Sequence, residues 1–209
     1  MNTEEAYNSW ATQYDTNHNR TRDLEAVSLK AALENIAFSN CLEMGCGTGK
    51  NTAWLISKAD HITAVDLSEE MLAKARTKIS AEKVSFIQAD MLQDWHFAGN
   101  TTFDLVTFSL VLEHIEDLQT IFEKLRRVVA DNGYVYVGEL HPFKQYNGSK
   151  ARFETENGTQ VVPCFTHHLS DFTIAAQQNG FAIADIQEYF DDDNRENIPR
   201  ILALLFRKR

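Results

Sequence analysis

Cys41-Leu42-Glu43-Met44-Gly45-Cys46-Gly47-Thr48-Gly49 is a short apolar run that ends in three alternating glycines and leads into residues 48–58 (TGKNTAWLISK), which read as a helix. Glycine has no Cβ and takes positive φ, so a strand ending this way lets a ligand approach bare backbone. The free N–H groups at the start of the following helix point at that ligand. The spelling also separates two kinds of nucleotide site. A dinucleotide fingerprint begun at Gly45 and Gly47 needs its third glycine at position 50, where this chain has Lys50. Here the third glycine comes one residue early, and the acid Glu43 stands two before the first.

Further stations follow in order. His61-Ile62-Thr63-Ala64-Val65-Asp66 reads as a β-branched second strand ending in an acid, which suits a carboxylate bonded to two ribose hydroxyls or, read alone, the cap of a helix over 68–80. Residues 84–88 lead to Ala89-Asp90-Met91, and residues 103–108 lead to Ser109-Leu110-Val111-Leu112-Glu113-His114. Asp90 taken by itself is also an ordinary turn residue. Cys46 reads as a small spacer in the loop, since no base is evident beside it.

The Glu-x-Gly-x-Gly-x-Gly spelling, with these stations, resembles the class I S-adenosylmethionine (SAM)-dependent methyltransferases, in their small-molecule branch akin to the ubiquinone and biotin pathway enzymes. The resemblance implies a Rossmann-like α/β fold: a seven-stranded sheet in the order 3-2-1-4-5-7-6, the last strand antiparallel, with helices on both faces. It implies SAM as cofactor and S-adenosylhomocysteine (SAH) as product. Glu43, Gly45, Cys46, Gly47 and Gly49 then form the floor of the site, Asp66 with Leu67 and Met71 the ribose station, Asp90 with Met91 the adenine station, and Ser109 the loop beneath the methionine. In the N-terminal segment AYNSWATQYD, which looks like the opening of this branch, Trp10 and Arg20 have the spacing of a pair that reaches the cofactor, with Arg22 as the alternative to Arg20. A guanidinium there matches a carboxylate bidentately.

A sulfonium methyl group is electrophilic, so the protein must align a nucleophile and exclude water, adding a base only for a protonated acceptor. His114 and Tyr14 are the candidates for that base by position; His141, His167 and His168 are less securely placed. Residues 142–165 are polar and rich in turn signals, and segments inserted at this point often wall the acceptor pocket in the family, so Tyr146, Arg152 and Phe153 are the candidate substrate contacts. No metal is expected: the sequence has no zinc-like Cys/His spacing, and Ser109 stands where metal-assisted relatives place a carboxylate.

The chain has 209 residues, 44% of them hydrophobic, which is enough for one substantial core. We expect one domain over 1–209, with a helical cap at 1–40, the cofactor-binding core at 41–140 and the acceptor-site insertion with the C-terminal strands at 141–209. Strands are expected near 41–45, 61–66, 83–88, 103–109, 133–140, 181–190 and 201–206, and helices near 49–58, 68–80, 117–130 and 170–179. The formal charge of −10 and the absence of a long basic run argue against nucleic acid as substrate. No membrane-length apolar stretch and no signal-like N-terminus are seen, and the three cysteines fit a reduced cytoplasmic setting. The partner is therefore expected to be a small-molecule methyl acceptor, with the protein a monomer or homodimer. The alternative from another class is a SAM-binding regulatory or partner-dependent protein.

Overall fold

The computed structural model describes residues 2–16, 18–79, 82–150, 152–155 and 158–209, the backbone alone for 152–155 and 158–160. Five parallel strands begin the sheet: β1 (Asn40–Met44), β2 (His61–Asp66), β3 (Val84–Gln88), β4 (Phe103–Ser109) and β5 (Val129–Leu140). A separate antiparallel hairpin, β6 (Arg152–Thr155) with β7 (Gly158–Val161), precedes β8 (Phe181–Tyr189) and β9 (Ile201–Lys208). The main sheet runs β3-β2-β1-β4-β5-β9-β8, with β9 antiparallel to both its neighbours. Leaving out the hairpin, that is the 3-2-1-4-5-7-6 order.

Both faces of this sheet are covered, which is why β1 and β2 read as nearly continuous apolar runs. On one face α5 (Leu118–Val128) and α7 (Leu169–Gln178) pack Ile121, Phe122, Leu125 and Phe172 onto Phe103, Phe108 and Phe206. On the other, α2 (Arg20–Leu33), α3 (Thr52–Leu55) and α4 (Glu69–Lys78) contribute Leu29, Leu33, Leu55 and Leu72 against Ile62, Leu105, Tyr136 and Leu205. Helix α1 (Thr3–Trp10) opens the chain, and α6 (Pro142–Tyr146) follows β5.

Several boundaries differ from the sequence reading. The helix expected over 49–58 shrinks to Thr52–Leu55, because residues 48–51 form the turn that brings the glycine loop around. Strand β5 starts at Val129, ahead of the expected 133, with a register shift opposite Phe103/Leu105. The turn-rich stretch 142–165 holds α6 and the hairpin, elements too short and polar to show a period.

Helix ends position the site. Ser68 caps α4, its Oγ accepting from the Met71 N–H at 3.1 Å, and Asn19 caps α2 by accepting from the Thr21 and Arg22 N–H groups. α1 rests against α4 through Ser68 Oγ, which donates to Asn8 Oδ1 at 2.6 Å.

Candidate cofactor and acceptor site

The three glycines of the loop after β1 all take positive φ, at 72°, 54° and 81° for Gly45, Gly47 and Gly49. Their surroundings differ. A Cβ at Gly45 would lie 2.6 Å from Val111 Cγ2, and one at Gly49 2.6 Å from Ile79 Cδ1. Gly47 meets no atom within 4 Å; together with Gly45 it lines a cavity of about 340 Å³ at the carboxyl ends of the strands. Such a cleft lies in the range of about 300–1,000 Å³ usual for small-ligand sites. Gly49 packs the loop against α4 and is not among the residues that line the cavity.

Asp66, Leu67, Asp90, Met91, Ser109 and His114, from the ends of β2, β3 and β4 and the segments just after them, line the same cavity with Met71 of α4. Asp66 Oδ2 accepts from the Gly47 N–H at 2.7 Å and Oδ1 from the Ser68 N–H at 2.8 Å, so one carboxylate joins the glycine loop to the cap of α4. Burial pushes its pKa up against those hydrogen bonds. Asp90 accepts from the Leu92 N–H at 2.8 Å, a turn contact that leaves it on the cavity wall.

Glu43 and Cys46 sit behind the loop on a smaller cavity of about 50 Å³. Glu43 is buried, accepts from Thr52 Oγ1 at 2.5 Å, and is pushed by burial up to about 8. Lys50 pairs with Asp23 of α2 at 2.5 Å, while Thr48 Oγ1 donates to Asp15 at 2.6 Å, and these contacts tie the N-terminal segment to the loop. Arg22, not Arg20, reaches this small cavity. Arg20 is the first residue of α2, its charge acts on Asp191, and it lines none of the three cavities at this end of the sheet. Two residues along a helix turn the side chain by roughly 200°, which exchanges one face for the other.

Trp10 is buried and does not line the large cavity; it stacks on Tyr7 (ring centroids 5.7 Å) and meets Tyr14 edge-on at 4.9 Å. Tyr14 lines all three cavities, with Arg22 Cζ 4.0 Å from its ring centroid. His114 is fixed on both nitrogens. Nδ1 lies 2.8 Å from the Pro163 carbonyl, which can only accept, so Nδ1 carries the proton; Nε2, 2.8 Å from Tyr7 Oη, then accepts from the phenol. Burial holds the imidazole below its ordinary 6.5 and Tyr7 well above its ordinary 10.0. Glu113, His114 and Cys164 bring one ligand atom each within 4.8 Å of one another. The proton on Nδ1 leaves that nitrogen no lone pair for a cation.

The loop below the cavity is shaped by β5. Glu139 Oε1 accepts from the Val111 and Leu112 N–H groups at 3.0 and 2.8 Å, and the Leu110 N–H donates to the Gly138 carbonyl at 2.8 Å. Leu110, at φ 55°, lines all three cavities. Glu25 of α2, buried and pushed up to about 6, accepts from Asn51 Nδ2 at 2.9 Å and from Tyr136 Oη at 3.2 Å. Sequence reasoning missed Glu25, Asn51 and Glu139, whose partners are remote in the chain. Tyr7 carried a signal: with Trp10 and Tyr14 it repeats at i, i+3, i+7.

The substrate candidates distribute differently from expectation. Tyr146 is 52% exposed and its hydroxyl lies 2.6 Å from His168 Nδ1, outside the cavities. Arg152 and Phe153 are on β6, and their side chains lie outside the described residues. Among the described residues of the inserted stretch, Ser149 and Lys150 line a cavity next to the large one, and Phe165 lines a separate groove beside Glu116 and Asp171.

Residues 42–137 match the family model described as "Methyltransferase domain". An uncharacterized methyltransferase of Emericella nidulans is 26% identical across 89% of this chain and 78% of its own length. A malonyl-[acyl-carrier protein] O-methyltransferase of Enterobacter lignolyticus is 31% identical across 56% of this chain and 45% of its own length. The chain spans about half the length of several curated relatives it matches. Among solved structures, the DhpI–SAH complex superposes with a TM-score of 0.78 at 24% identity, covering 99% of this chain and 95% of that one. A SAM-dependent methyltransferase from Mesorhizobium loti superposes at 0.73 with 20% identity, covering 90% and 100%. With the glycine loop and the strand order in agreement, residues 42–137 are a methyltransferase domain by this match, and the sheet has the Rossmann-like fold of the SAM-dependent methyltransferases it superposes on.

Proposed function

We propose that this protein transfers a methyl group from SAM to an oxygen, nitrogen or carbon atom of a small metabolite in the cytoplasm. The observation that carries the reading is the single cavity onto which Gly47, Asp66, Asp90 and Ser109 converge from four strand ends, with Tyr7 and His114 on its wall. The residues suit the cofactor: Asp66 for the ribose hydroxyls, Asp90 for the adenine amino group, Arg22 for the amino-acid carboxylate, and the side-chain-free face of Gly47 for close approach. When bound, SAM supplies an electrophilic methyl group on a sulfonium.

The chain's own residues supply position and proton transfer. Tyr7, Trp10 and Tyr14 form an aromatic wall that excludes water and orients an acceptor. An acceptor hydroxyl or ammonium passes its proton to Tyr7 Oη as Tyr7 gives its own to His114 Nε2, and the Pro163 carbonyl accepts the Nδ1 hydrogen of the resulting imidazolium. The charge of −10 supports a small acceptor over nucleic acid, and Cys41 and Cys46, buried free thiols, support a reducing compartment. No helix among the described residues is long and apolar enough to cross a membrane.

Calorimetry with SAM, SAH and NAD tests the reading, followed by an SAH-release assay across an acceptor panel. SAM and SAH binding with turnover of a panel member is expected. NAD binding without SAM binding overturns the proposal, and SAM binding without any turnover favours the regulatory alternative.

A further inference from the structure

Beside the cofactor cavity lies a second one of about 280 Å³, and Tyr7, Tyr14 and Leu110 form the wall the two share. Its lining carries three cations, Arg22, Lys150 and Arg200, against one carboxylate, Glu113. The chain as a whole has thirty acids and twenty bases, so the balance at this spot is the reverse of its average. Burial pushes Glu113 up to about 7, so near neutral pH it cancels the cations only in part. Asn19, Thr21 and Ser149 add uncharged hydrogen-bonding groups to the same wall.

The three cations are held differently. Asp191 grips Arg200 at 2.5 and 2.6 Å, and Arg200 Nη1 donates to Thr21 Oγ1 at 3.0 Å, which orients the guanidinium and offsets part of its charge. Arg22 lies against the Tyr14 ring and lines the small cavity behind the glycine loop too, so it stands between the cofactor's end and the acceptor's. Lys150 is exposed, belongs to the inserted stretch and lines the second cavity alone. An ammonium on a flexible stem is suited to meeting an anion arriving from solvent.

We infer that the second cavity binds the methyl acceptor by an oxyanion group, a carboxylate or a phosphate, with Lys150 as the charge partner and the guanidinium groups of Arg22 and Arg200 framing it. The inference rests on the methyl-transfer reading above and adds a substrate class to it. The acceptor is an anionic small molecule, although a net charge of −10 would favour the approach of a cationic amine. With its anionic end at Lys150, its reacting atom points to the shared wall of Tyr7 and Tyr14.

The test is calorimetry on SAH-saturated protein, titrated in separate arms with inorganic phosphate, propionate and tetramethylammonium. Phosphate or propionate should bind, and which of them binds more tightly identifies the oxyanion. Lys150→Glu should weaken that binding by about tenfold or more, Lys150→Arg should retain it, and SAH affinity should be the same in all three proteins. Binding of tetramethylammonium with neither anion, failure of both anions on SAH-loaded protein, or indifference of anion affinity to Lys150→Glu overturns the inference and leaves the cofactor reading standing. Failure of SAH itself to bind overturns the methyl-transfer reading and this inference with it.

Discussion

Asp66 holds two backbone N–H groups and also faces the cavity, so its removal has two separable consequences. Asp66→Ala should lower SAH affinity by about 1.5–3 kcal/mol through loss of a charge-assisted partner. It should also lower the melting temperature, because the Gly47 and Ser68 N–H groups lose their acceptor. Calorimetry and thermal unfolding on the same preparation separate these; a lower Tm with unchanged SAH affinity would make Asp66 a cap and nothing more. Leu110 offers a test free of lost polar contacts. At φ 55° a Leu is already strained, and a β-branched side chain is worse in that region. Leu110→Ile, a swap of isomers, should therefore cost about 1 kcal/mol or more in urea unfolding. Unchanged stability would mean that the backbone at 110 relaxes freely.

At the scale of elements, α1 and the loop after β4 meet through the Tyr7–His114 hydrogen bond, and the proton chemistry depends on that contact. His114 must be neutral to accept, and burial keeps its pKa below 6.5. The acceptor-dependent kcat/KM should accordingly be flat above neutrality and fall as pH drops below that value. His114→Ala should remove this acid limb along with most of the rate. Tyr7→Phe keeps the aromatic wall and removes the relay, so it should lower kcat by about 10²-fold or more while changing SAH affinity little. An acid limb that survives in His114→Ala would show that another group titrates. What was legible in the sequence follows from the same geometry. Glu43, Asp66, Asp90 and Ser109 each end a strand or follow one closely, and a parallel sheet sets such ends side by side. The choice between Arg20 and Arg22 depends on where α2 starts around its axis, which Asn19 decides by capping. The pairing of β6 with β7 and the surface placement of Tyr146 carried no periodic signal at all.

For the whole molecule, the feature least visible in the sequence is the gathering of buried carboxylates: Glu25 and Glu139 are remote in the chain from the glycine loop and join Glu43 and Glu113 beside the site through the packing of α2 on β5. They give the fold an unusual pH dependence. Burial raises the native pKa of Glu43 and of Glu139 from 4.5 to about 8. Between those values the native state keeps protons that the unfolded chain has released, so stability falls as pH rises through this window and levels off above it. His114 and His141 act in the opposite sense, but their pKa values are depressed below 6.5, and Cys41 and Cys46 have an unfolded value of 9.0. From pH 7 to 8 these two glutamates lead, each contributing roughly 1 kcal/mol of lost stability per pH unit, and Glu113, pushed up to about 7, adds a smaller loss in the same direction. In a chain of this size that corresponds to a Tm lower by about 2–4 °C for each kcal/mol. Glu139→Gln retains an acceptor for the Val111 and Leu112 N–H groups and removes one of these titrations, so its Tm should fall less steeply over the same interval. Thermal unfolding of both proteins at pH 7 and pH 8 checks this, and a wild-type Tm that rises across the interval would mean that both carboxylates are ionised in the native fold.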